Sequence, residues 1–317
     1  MSTSKMSSAY IQMVDSIDQQ LIALDQSDEE NSLLRIQLKI YRNNAIPIGR
    51  LPPEILCEIF RFEASSKTWS KEWPPSPLSQ VCHYWRTVAI DLAALWSNIH
   101  FGHLFWAEEQ MRRSKSHALS VMVPTNKLHE LTLPFLIDIL TQTGRLRNVW
   151  ISCVTERQLT EVVNSFKYPP RQLHSLLFRV GPNSTGRFCL PGFFFRSATN
   201  SLRRLRLVGC GFEWGSFDIR NLVDLRVSYH IGFPCETRPS PETFITAIRS
   251  MTSVRKLTLH HCLPTNDWNV DASPLSISLP HLRTLIIGDT LANTTFLVTQ
   301  LSIGKHATAV VDAVQWT

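Results

Sequence analysis

The sequence is poor in the features that mark enzymes and cofactor-binding proteins. Its 317 residues include only 12 glycines, and these form no Gly-x-Gly-x-x-Gly or Gly-x-x-x-x-Gly-Lys-Ser/Thr phosphate loop. A Gly-x-Ser-x-Gly nucleophile turn and a His-Glu-x-x-His zinc helix are also missing. The seven cysteines are an odd number and never occur as Cys-x-x-Cys, which argues against a disulfide framework or a zinc ribbon. We therefore predict a non-catalytic protein with no cofactor or metal ion.

Long hydrophobic runs are absent as well, although 44% of the residues are hydrophobic. No apolar run approaches the ~18 to 20 residues that cross a bilayer. The chain begins with a Ser-, Asp- and Gln-rich segment in place of a charged leader followed by an apolar stretch. We expect neither a membrane span nor a signal peptide, and hence an intracellular protein of the cytoplasm, the nucleus or both.

Positive charge is concentrated in the last two thirds of the chain. Residues 117–317 carry twenty Lys and Arg against thirteen Asp and Glu, whereas the preceding residues are close to balance. A basic surface favours acidic partners, including nucleic acids. Because these cations are dispersed and never form a run longer than two, we do not expect nucleic-acid binding.

Two clusters of reactive side chains do not predict chemistry. His260, His261 and Cys262 are adjacent, but neighbouring strand residues point to opposite faces and cannot all reach one tetrahedral metal ion. Cys82 and His83 diverge by about 100° on a helix, and Cys82 lies on an apolar stripe. We predict no metal site at His260, and a core or interface role for Cys82.

The first 45 residues predict amphipathic helical structure. An apolar stripe is interrupted by a polar segment at 27–32, where Ser27 and Glu30 have capping-box spacing. A bent helix and a short helical hairpin both fit, and so do a short coiled coil and a helix docked on its own protein. The stripe consists of Ile11, Val14, Ile17, Leu21 and Leu24, and resumes at Leu34, Leu38 and Tyr41.

Residues 46–99 predict three small helices with strongly apolar faces. Pro52 and Pro53 are tolerated in the first turn of a helix, and Glu54 suits its positive end. The polar segment 65–77, which contains Trp73 and several prolines, predicts a loop before the second helix. The apolar positions are Ile55, Leu56, Ile59 and Phe60, then Leu78, Val81, Cys82, Trp85, Val88 and Ala89, and finally Leu92, Leu95 and Trp96.

Three pieces of this segment, in order, resemble the F-box, and with the preceding helix they are similar to fungal F-box proteins. The pieces are Leu51-Pro52-Pro53-Glu54-Ile55-Leu56, Val81-Cys82-x-x-Trp85 and Leu95-Trp96. The resemblance implies that residues 46–99 bind a Skp-type adaptor and, through it, the cullin and RING subunits of an SCF ubiquitin ligase. It further implies that Leu56, Trp85 and Trp96 hold the helices together, and that the adaptor contacts Leu51, Pro52, Ile55, Ile59, Phe60, Leu78, Val81 and Cys82.

Residues 100–317 predict a repeated structure. The pattern apolar-x-x-apolar-x-apolar begins at Leu146, Leu173, Leu202, Leu222, Val254 and Leu282. Most of the intervals lie within the ~20 to 29-residue period of leucine-rich repeats, which this pattern resembles. One repeat alone leaves an apolar side exposed, so we predict stacking into an irregular α/β solenoid, with helices at 131–141, 159–166 and 242–249 outside.

Period-two alternation predicts which strand residues line the concave face of this arc. Leu205 and Leu207 would point inward, so that Arg204 and Arg206 face outward. We predict that the corresponding row, which mixes cationic, aromatic and small polar side chains, contacts an unknown protein substrate. Its main residues are Trp150, Arg204, Arg206, Arg226, Lys256, Thr258 and His260.

Together these patterns predict a substrate-recognition adaptor of a ubiquitin ligase, which acts by bringing a target close to the catalytic subunits. The alternative is a repeat scaffold that binds proteins independently of a ligase, with the helical segment as an N-terminal cap. An α/β enzyme is disfavoured by the missing motifs. Binding of a Skp-type adaptor distinguishes the first two hypotheses.

Overall fold

The structure is a computed structural model, and the chain divides into two compact units. The helical unit comprises residues 1–97 and 109–115, and the sheet unit comprises residues 98–108 and 116–317. The predicted capping box at Ser27 and Glu30 and the predicted loop around Trp73 lie outside the described residues. The residues that the structure describes are 2–25, 32–66, 77–153, 155–166, 168, 170–181, 188–192, 201–216, 220–230, 238–264, 277–304 and 307–314.

Helices form the first unit and alternate with strands in the second. Short 3₁₀ turns also occur at Pro47–Arg50, Pro77–Gln80, Ala93–Trp96 and Trp214–Ser216. Within the described ranges, none of the helices combines the length and the apolar character needed to cross a membrane. The helices are α1 (Ser2–Asp25), α2 (Ser32–Ala45), α3 (Pro53–Ser66), α4 (His83–Asp91), α5 (Leu104–Arg113), α6 (Leu133–Thr141), α7 (Glu156–Asn164), α8 (Pro241–Ser250) and α9 (Leu291–Gln300).

Helices α1 and α2 form an antiparallel hairpin, which is one of the arrangements that the apolar stripe predicts. The Arg42 guanidinium donates to both carboxylate oxygens of Asp18. Arg35 Nη2 donates to the Leu24 carbonyl oxygen at 2.6 Å. The end of α1 therefore lies beside the start of α2, and Ile17 is buried.

The other helices of the first unit pack around an aromatic core. The Phe60 and Trp85 rings meet edge to face, with centroids 5.3 Å apart. The buried Trp96 donates from its Nε1 to the Ala89 carbonyl oxygen at 2.7 Å. These contacts join α3, α4 and the 3₁₀ turn that follows α4. The buried core consists of Leu56, Phe60, Trp85, Val88, Ala89, Leu92, Leu95 and Trp96.

The second and third helices of this module are shorter than the apolar spacing predicts. Pro77–Gln80 is a 3₁₀ turn, and α4 begins only at His83. Cys82 is extended, with φ −157° and ψ 172°, and its Sγ accepts a hydrogen bond from the Trp85 amide at 3.5 Å. Ala93–Trp96 is likewise a 3₁₀ turn. Apolar spacing identifies the buried positions, but the helix boundaries depend on caps such as Cys82.

The sheet unit is built on nine described strands that are all parallel and follow one another in sequence order. The order is β1-β2-β3-β4-β6-β8-β9-β11-β13, and two smaller pairs join β5 to β7 and β10 to β12. The strands are β1 (Asn98–His100), β2 (Leu119–Val123), β3 (Leu146–Cys153), β4 (Ser175–Val180), β5 (Cys189–Leu190), β6 (Arg204–Val208), β7 (Gly211–Phe212), β8 (Asp224–Ser228), β9 (Lys256–His260), β10 (Ile277–Leu279), β11 (Thr284–Thr290), β12 (Leu301–Ile303) and β13 (Thr308–Val314).

Each of the six predicted repeats supplies one strand of the main sheet, namely β3, β4, β6, β8, β9 or β11. The helices predicted at 131–141, 159–166 and 242–249 are observed as α6, α7 and α8, with slightly different ends. The structure thus has the mixed α/β character that the sequence predicts.

The two faces of the main sheet differ in burial. One face carries in-register ladders of fully buried aliphatic residues. On the opposite face, the side chains that alternate with them are mostly exposed or half-buried, although Ser175, Asp224 and Thr258 are buried. A sheet with one buried face leaves the other available for contacts. One buried ladder consists of Val149, Leu176, Leu205, Leu225, Leu257 and Leu285.

Candidate protein-binding surfaces

Helix α3 carries apolar side chains on two different faces. Leu56 and Phe60 are fully buried in the helical core. In contrast, Ile55 is 48% exposed and Ile59 is 39% exposed. Residues spaced by three or four lie on one side of a helix, so the exposed residues form a continuous apolar strip beside a closed core. We call this strip the outer stripe; it comprises Pro52, Ile55, Ile59 and Phe62.

Phe60 is a correction to the predicted adaptor contacts, and Phe62 is an addition to them. Phe60 has no exposed surface because its ring is enclosed against Trp85. Phe62 is 75% exposed. Its position, three residues after Ile59 and seven after Ile55, was the sequence signal that could have revealed it.

The other predicted adaptor contacts surround the junction before α4. Leu51, Leu78 and Cys82 are partly buried against the helical core, whereas Val81 is 55% exposed. Tyr84 Oη donates to the Leu51 carbonyl oxygen at 2.8 Å, which ties the segment before α3 to α4. Among the described residues of this module, the exposed apolar surface is therefore provided by Ile48, Val81 and the outer stripe.

The predicted substrate contacts share the uncovered face of the main sheet. Arg204, Asp224 and Lys256 are paired in register on β6, β8 and β9. One level further along the same strands, Arg206, Arg226 and Thr258 are paired in the same way. Trp150 lies at the level of Arg206 on β3, and His260 lies at the next level on β9. The structure therefore brings all seven predicted residues to one face.

These seven residues differ in what they can offer to a partner. Arg204, Arg226 and Lys256 are exposed. Thr258 is only 3% exposed because it lies between Arg226 and Ile286 on neighbouring strands. This burial corrects the prediction that Thr258 contacts the substrate.

The other members of the row are partly engaged within the sheet. Arg206 Nη2 donates to Asp224 Oδ2 at 2.6 Å. Trp150 Nε1 donates to Ser175 Oγ at 3.1 Å, and His260 is half-buried. The contact surface on this face is therefore dominated by cationic side chains.

The buried cysteines of the sheet unit have the properties of structural thiols. Burial raises the pKa of Cys153 to about 12, and it also raises the pKa of Cys262. Cys262 Sγ donates to the Val227 carbonyl oxygen at 3.7 Å. In the described ranges, no group of three or more His, Cys, Asp or Glu side chains is arranged to hold a metal ion. A buried, protonated thiol is a poor nucleophile.

Comparison with known proteins bears on the helical module. Residues 48–102 match the family model described as F-box-like, which supports the identification of an F-box protein. None of the curated proteins matches the chain significantly. The matched segment contains the outer stripe, Val81 and the core formed by α3 and α4.

Proposed function

We propose that the protein is a substrate-recognition subunit of an SCF-type, cullin–RING ubiquitin ligase. In this proposal, residues 46–99 bind a Skp-type adaptor, and the adaptor links the chain to the cullin and RING subunits. The uncovered face of the main sheet binds the target protein. The complex acts in the cytoplasm, the nucleus or both. The F-box-like match at residues 48–102 supports the first part of this assignment.

The observation that carries the proposal is the outer stripe. Phe62, Ile55 and Ile59 expose large apolar side chains although the core beside them is complete. Exposed apolar patches commonly mark protein interfaces, and aromatic and aliphatic anchors carry much of the affinity at such interfaces. A helix that presents anchors at spacings of three and four is suited to an apolar groove on a partner.

The target-binding part of the proposal depends on the repeated strands. The apolar-x-x-apolar-x-apolar pattern, the parallel sequence-ordered sheet and the uncovered polar face support a leucine-rich-repeat-like solenoid. Stacked repeats of this kind offer an extended surface on which a target can be held.

The proposed mechanism is proximity and requires no bond-making residue in this chain. The target is held near a ubiquitin-conjugating enzyme that other subunits recruit. Tethering raises the effective concentration of a target lysine at the reacting centre. Mutations in this chain should therefore change the affinity for the adaptor or the target and the orientation of the target, and not a chemical step.

The test is a pull-down of the full chain with a purified Skp-type adaptor. We expect wild-type chain to bind and an Ile55→Ser/Ile59→Ser variant to lose most of this binding, because both side chains lie in the outer stripe. The matched control is Leu131→Ser/Val298→Ser, since these residues are 76% and 42% exposed in the sheet unit. Circular dichroism verifies that each variant is folded.

The outcomes separate the two hypotheses of function. Loss of binding in the outer-stripe variant alone supports the ligase subunit. A folded wild-type chain that does not bind the adaptor contradicts it and favours a ligase-independent scaffold. Equal binding by both variants and wild type would place the adaptor contact elsewhere than on α3.

A further inference from the structure

The uncovered face of β6, β8 and β9 concentrates positive charge around one carboxylate. Arg206 and Arg226 are direct partners on β6 and β8, so their backbones lie about 4.8 Å apart. Arg204 and Lys256 flank Asp224 at the neighbouring level. Like charges that lie opposite each other on adjacent strands destabilise a sheet. The stability of the fold therefore does not account for this arrangement.

Asp224 neutralises only one of these four cations. Its Oδ2 accepts a hydrogen bond from Arg206 Nη2 at 2.6 Å, and the residue itself is 8% exposed. Across the described parts of the chain, Arg204, Arg226 and Lys256 form no ion pair, and all three are exposed. Three full positive charges thus face solvent within two neighbouring levels of three strands.

A second row of cations lies where the strands begin. The Arg203 amide donates to the His174 carbonyl oxygen at 2.9 Å, and the His174 amide donates to the Arg147 carbonyl oxygen at 2.7 Å. Similarly, the Arg283 amide donates to the Arg255 carbonyl oxygen at 2.8 Å. Arg147, Arg203, Arg255 and Arg283 therefore lie at one level across the six strands from β3 to β11, a span of about 24 Å.

Acidic side chains scarcely offset this charge. Among the described positions in the row of Arg203 and in the next row, which contains Arg204, Asp224 is the one acidic residue on the six strands from β3 to β11. The field also affects His174, whose pKa is lowered by partial burial and then by Arg204, Arg147 and Arg203. The amino-terminal ends of the strands are therefore a region of strongly positive potential.

We propose that this surface at the amino-terminal ends of the strands, which we call the amino-terminal edge, binds an acidic segment of a target protein, rich in Asp and Glu. Arg204, Arg226 and Lys256 form its centre, and Arg147, Arg203, Arg255 and Arg283 form its rim. The inference rests on the proposed function, in which this sheet holds the target. Arginine suits such a ligand because its planar guanidinium pairs with carboxylate or phosphate through two hydrogen bonds.

A protein segment fits this edge better than a nucleic acid. Within the described residues, the rows of Arg203 and Arg204 across the six strands contain no Phe, Tyr or Trp, and at the level of Arg226 the one aromatic residue is Trp150, three strands away on β3. Sites for single-stranded nucleic acids commonly use aromatic side chains on which bases stack. The charge also runs across the strands in a short row, which an extended peptide of about seven or more residues can span.

The test measures binding of labelled peptides of about twelve residues, long enough to cross the edge when extended, to the full chain. One probe alternates Glu with Gly, a second carries phosphoserine in place of Glu, and a third carries Gln. A single-stranded oligonucleotide is the fourth probe. The variant is Arg204→Gln/Arg226→Gln/Lys256→Gln. The control is Lys127→Gln/Arg157→Gln/Arg179→Gln, which removes the same charge from exposed positions at or just after the opposite, carboxyl ends of β2, β3 and β4.

We expect wild-type chain and control to bind the anionic peptides but not the Gln peptide, and the edge variant to bind at least about tenfold more weakly. Binding of the Glu peptide supports an acidic target even if the more highly charged phosphoserine probe binds more tightly, whereas binding of the phosphoserine probe alone overturns the proposal. The proposal is overturned if the variant and the control lose the same amount of affinity for the anionic peptides. It is also overturned if the wild-type chain binds no peptide or prefers the oligonucleotide. Adaptor binding, measured on the same proteins, reports separately on the proposed function.

Discussion

Helix α3 contains two phenylalanines, two residues apart, for which alanine substitution is expected to have opposite consequences. Phe60 is fully buried against Trp85, whereas Phe62 is 75% exposed in the outer stripe. We expect Phe60→Ala to reduce the free energy of unfolding of the helical unit. Phe62→Ala should reduce that free energy much less but should weaken binding of the Skp-type adaptor.

The loss of free energy of unfolding that Phe60→Ala should cause can be worked out from the surroundings of the ring. Full burial of a phenylalanine side chain is worth about 1.5 to 3 kcal/mol. The edge-to-face contact with Trp85, at 5.3 Å between centroids, adds about 0.5 to 1.5 kcal/mol. A cavity would also remain in the core, so Phe60→Ala is expected to cost about 3 to 5 kcal/mol.

The loss of free energy of unfolding on Phe62→Ala should be much smaller, because three quarters of the surface of Phe62 is already in solvent. The quarter that is buried contributes about 0.5 kcal/mol on the same scale. Alanine has the higher helix propensity by a similar amount, about 0.5 kcal/mol, so the cost of Phe62→Ala should stay well below that of Phe60→Ala. An interface anchor of this kind typically contributes more than about 1 kcal/mol to binding, which corresponds to roughly fivefold or more in affinity.

Urea unfolding of the full chain, followed by circular dichroism, measures the free energy of unfolding. Titration with a purified Skp-type adaptor measures the affinity for the adaptor. A Phe62→Ala variant that loses much less stability than Phe60→Ala but binds the adaptor more weakly would agree with the assigned faces of α3. If Phe62→Ala instead destabilises the chain as much as Phe60→Ala, the reasoning about these faces is wrong. Unchanged adaptor affinity in a folded Phe62→Ala protein would remove Phe62 from the interface.

Three further substitutions or conditions test the packing. Trp96→Phe should cost about 1 to 3 kcal/mol in urea unfolding, because the buried Ala89 carbonyl loses its Nε1 donor; an unchanged midpoint would contradict this. Gly209→Ala should cost about 2 kcal/mol or more, since Gly209 has φ +69° and an added Cβ would lie 2.4 Å from His230 Nε2 and 2.9 Å from the Val180 carbonyl oxygen. An additional His230→Ala substitution should relieve only the contact with the imidazole, not the backbone strain. Burial raises the pKa of Cys153 from 9.0 to about 12, so the unfolded chain releases this proton first and stability should fall between pH 9 and 12. Cys153→Ala should show a shallower decline over that range, and an unchanged slope would be incompatible with this role.

The repeated strands could be predicted from the sequence because their apolar positions recur with a fixed internal spacing. Leu202, Leu205 and Leu207 illustrate this, since β6 begins and ends close to where that pattern places it. The strands β1 and β2 were not predicted, although the same apolar spacing occurs at Trp96, Ile99 and Phe101 and at Ala118, Val121 and Val123. The strand β13 was not predicted either, because His306 stands where the pattern needs an apolar residue. Their places in the sheet depend on pairing with a neighbouring strand, which local spacing does not encode.

The faces of α3 could not be separated from the sequence alone. Ile55, Leu56, Ile59 and Phe60 are similar in hydrophobicity and lie on adjacent sides of one helix. Which pair is buried depends on the position of Trp85, which comes from a different helix. The binding surface of the sheet could not be predicted fully either. The pairing of Arg206 with Arg226 follows from the register of two strands and cannot be read from either strand alone.

The sequence order of the strands in the main sheet has a consequence for how the sheet folds and unfolds. Each strand pairs with strands that are its neighbours along the chain, so every new strand can add to a growing edge without a distant segment having to arrive first. Fraying begins at the outer strands β1 and β13, where one side has no partner within the main sheet. Strands β6, β8 and β9 have at least two strands on either side. Two of the three strands that carry this exposed charge, β6 and β8, therefore lie in the central part of the sheet, which is the last to come apart.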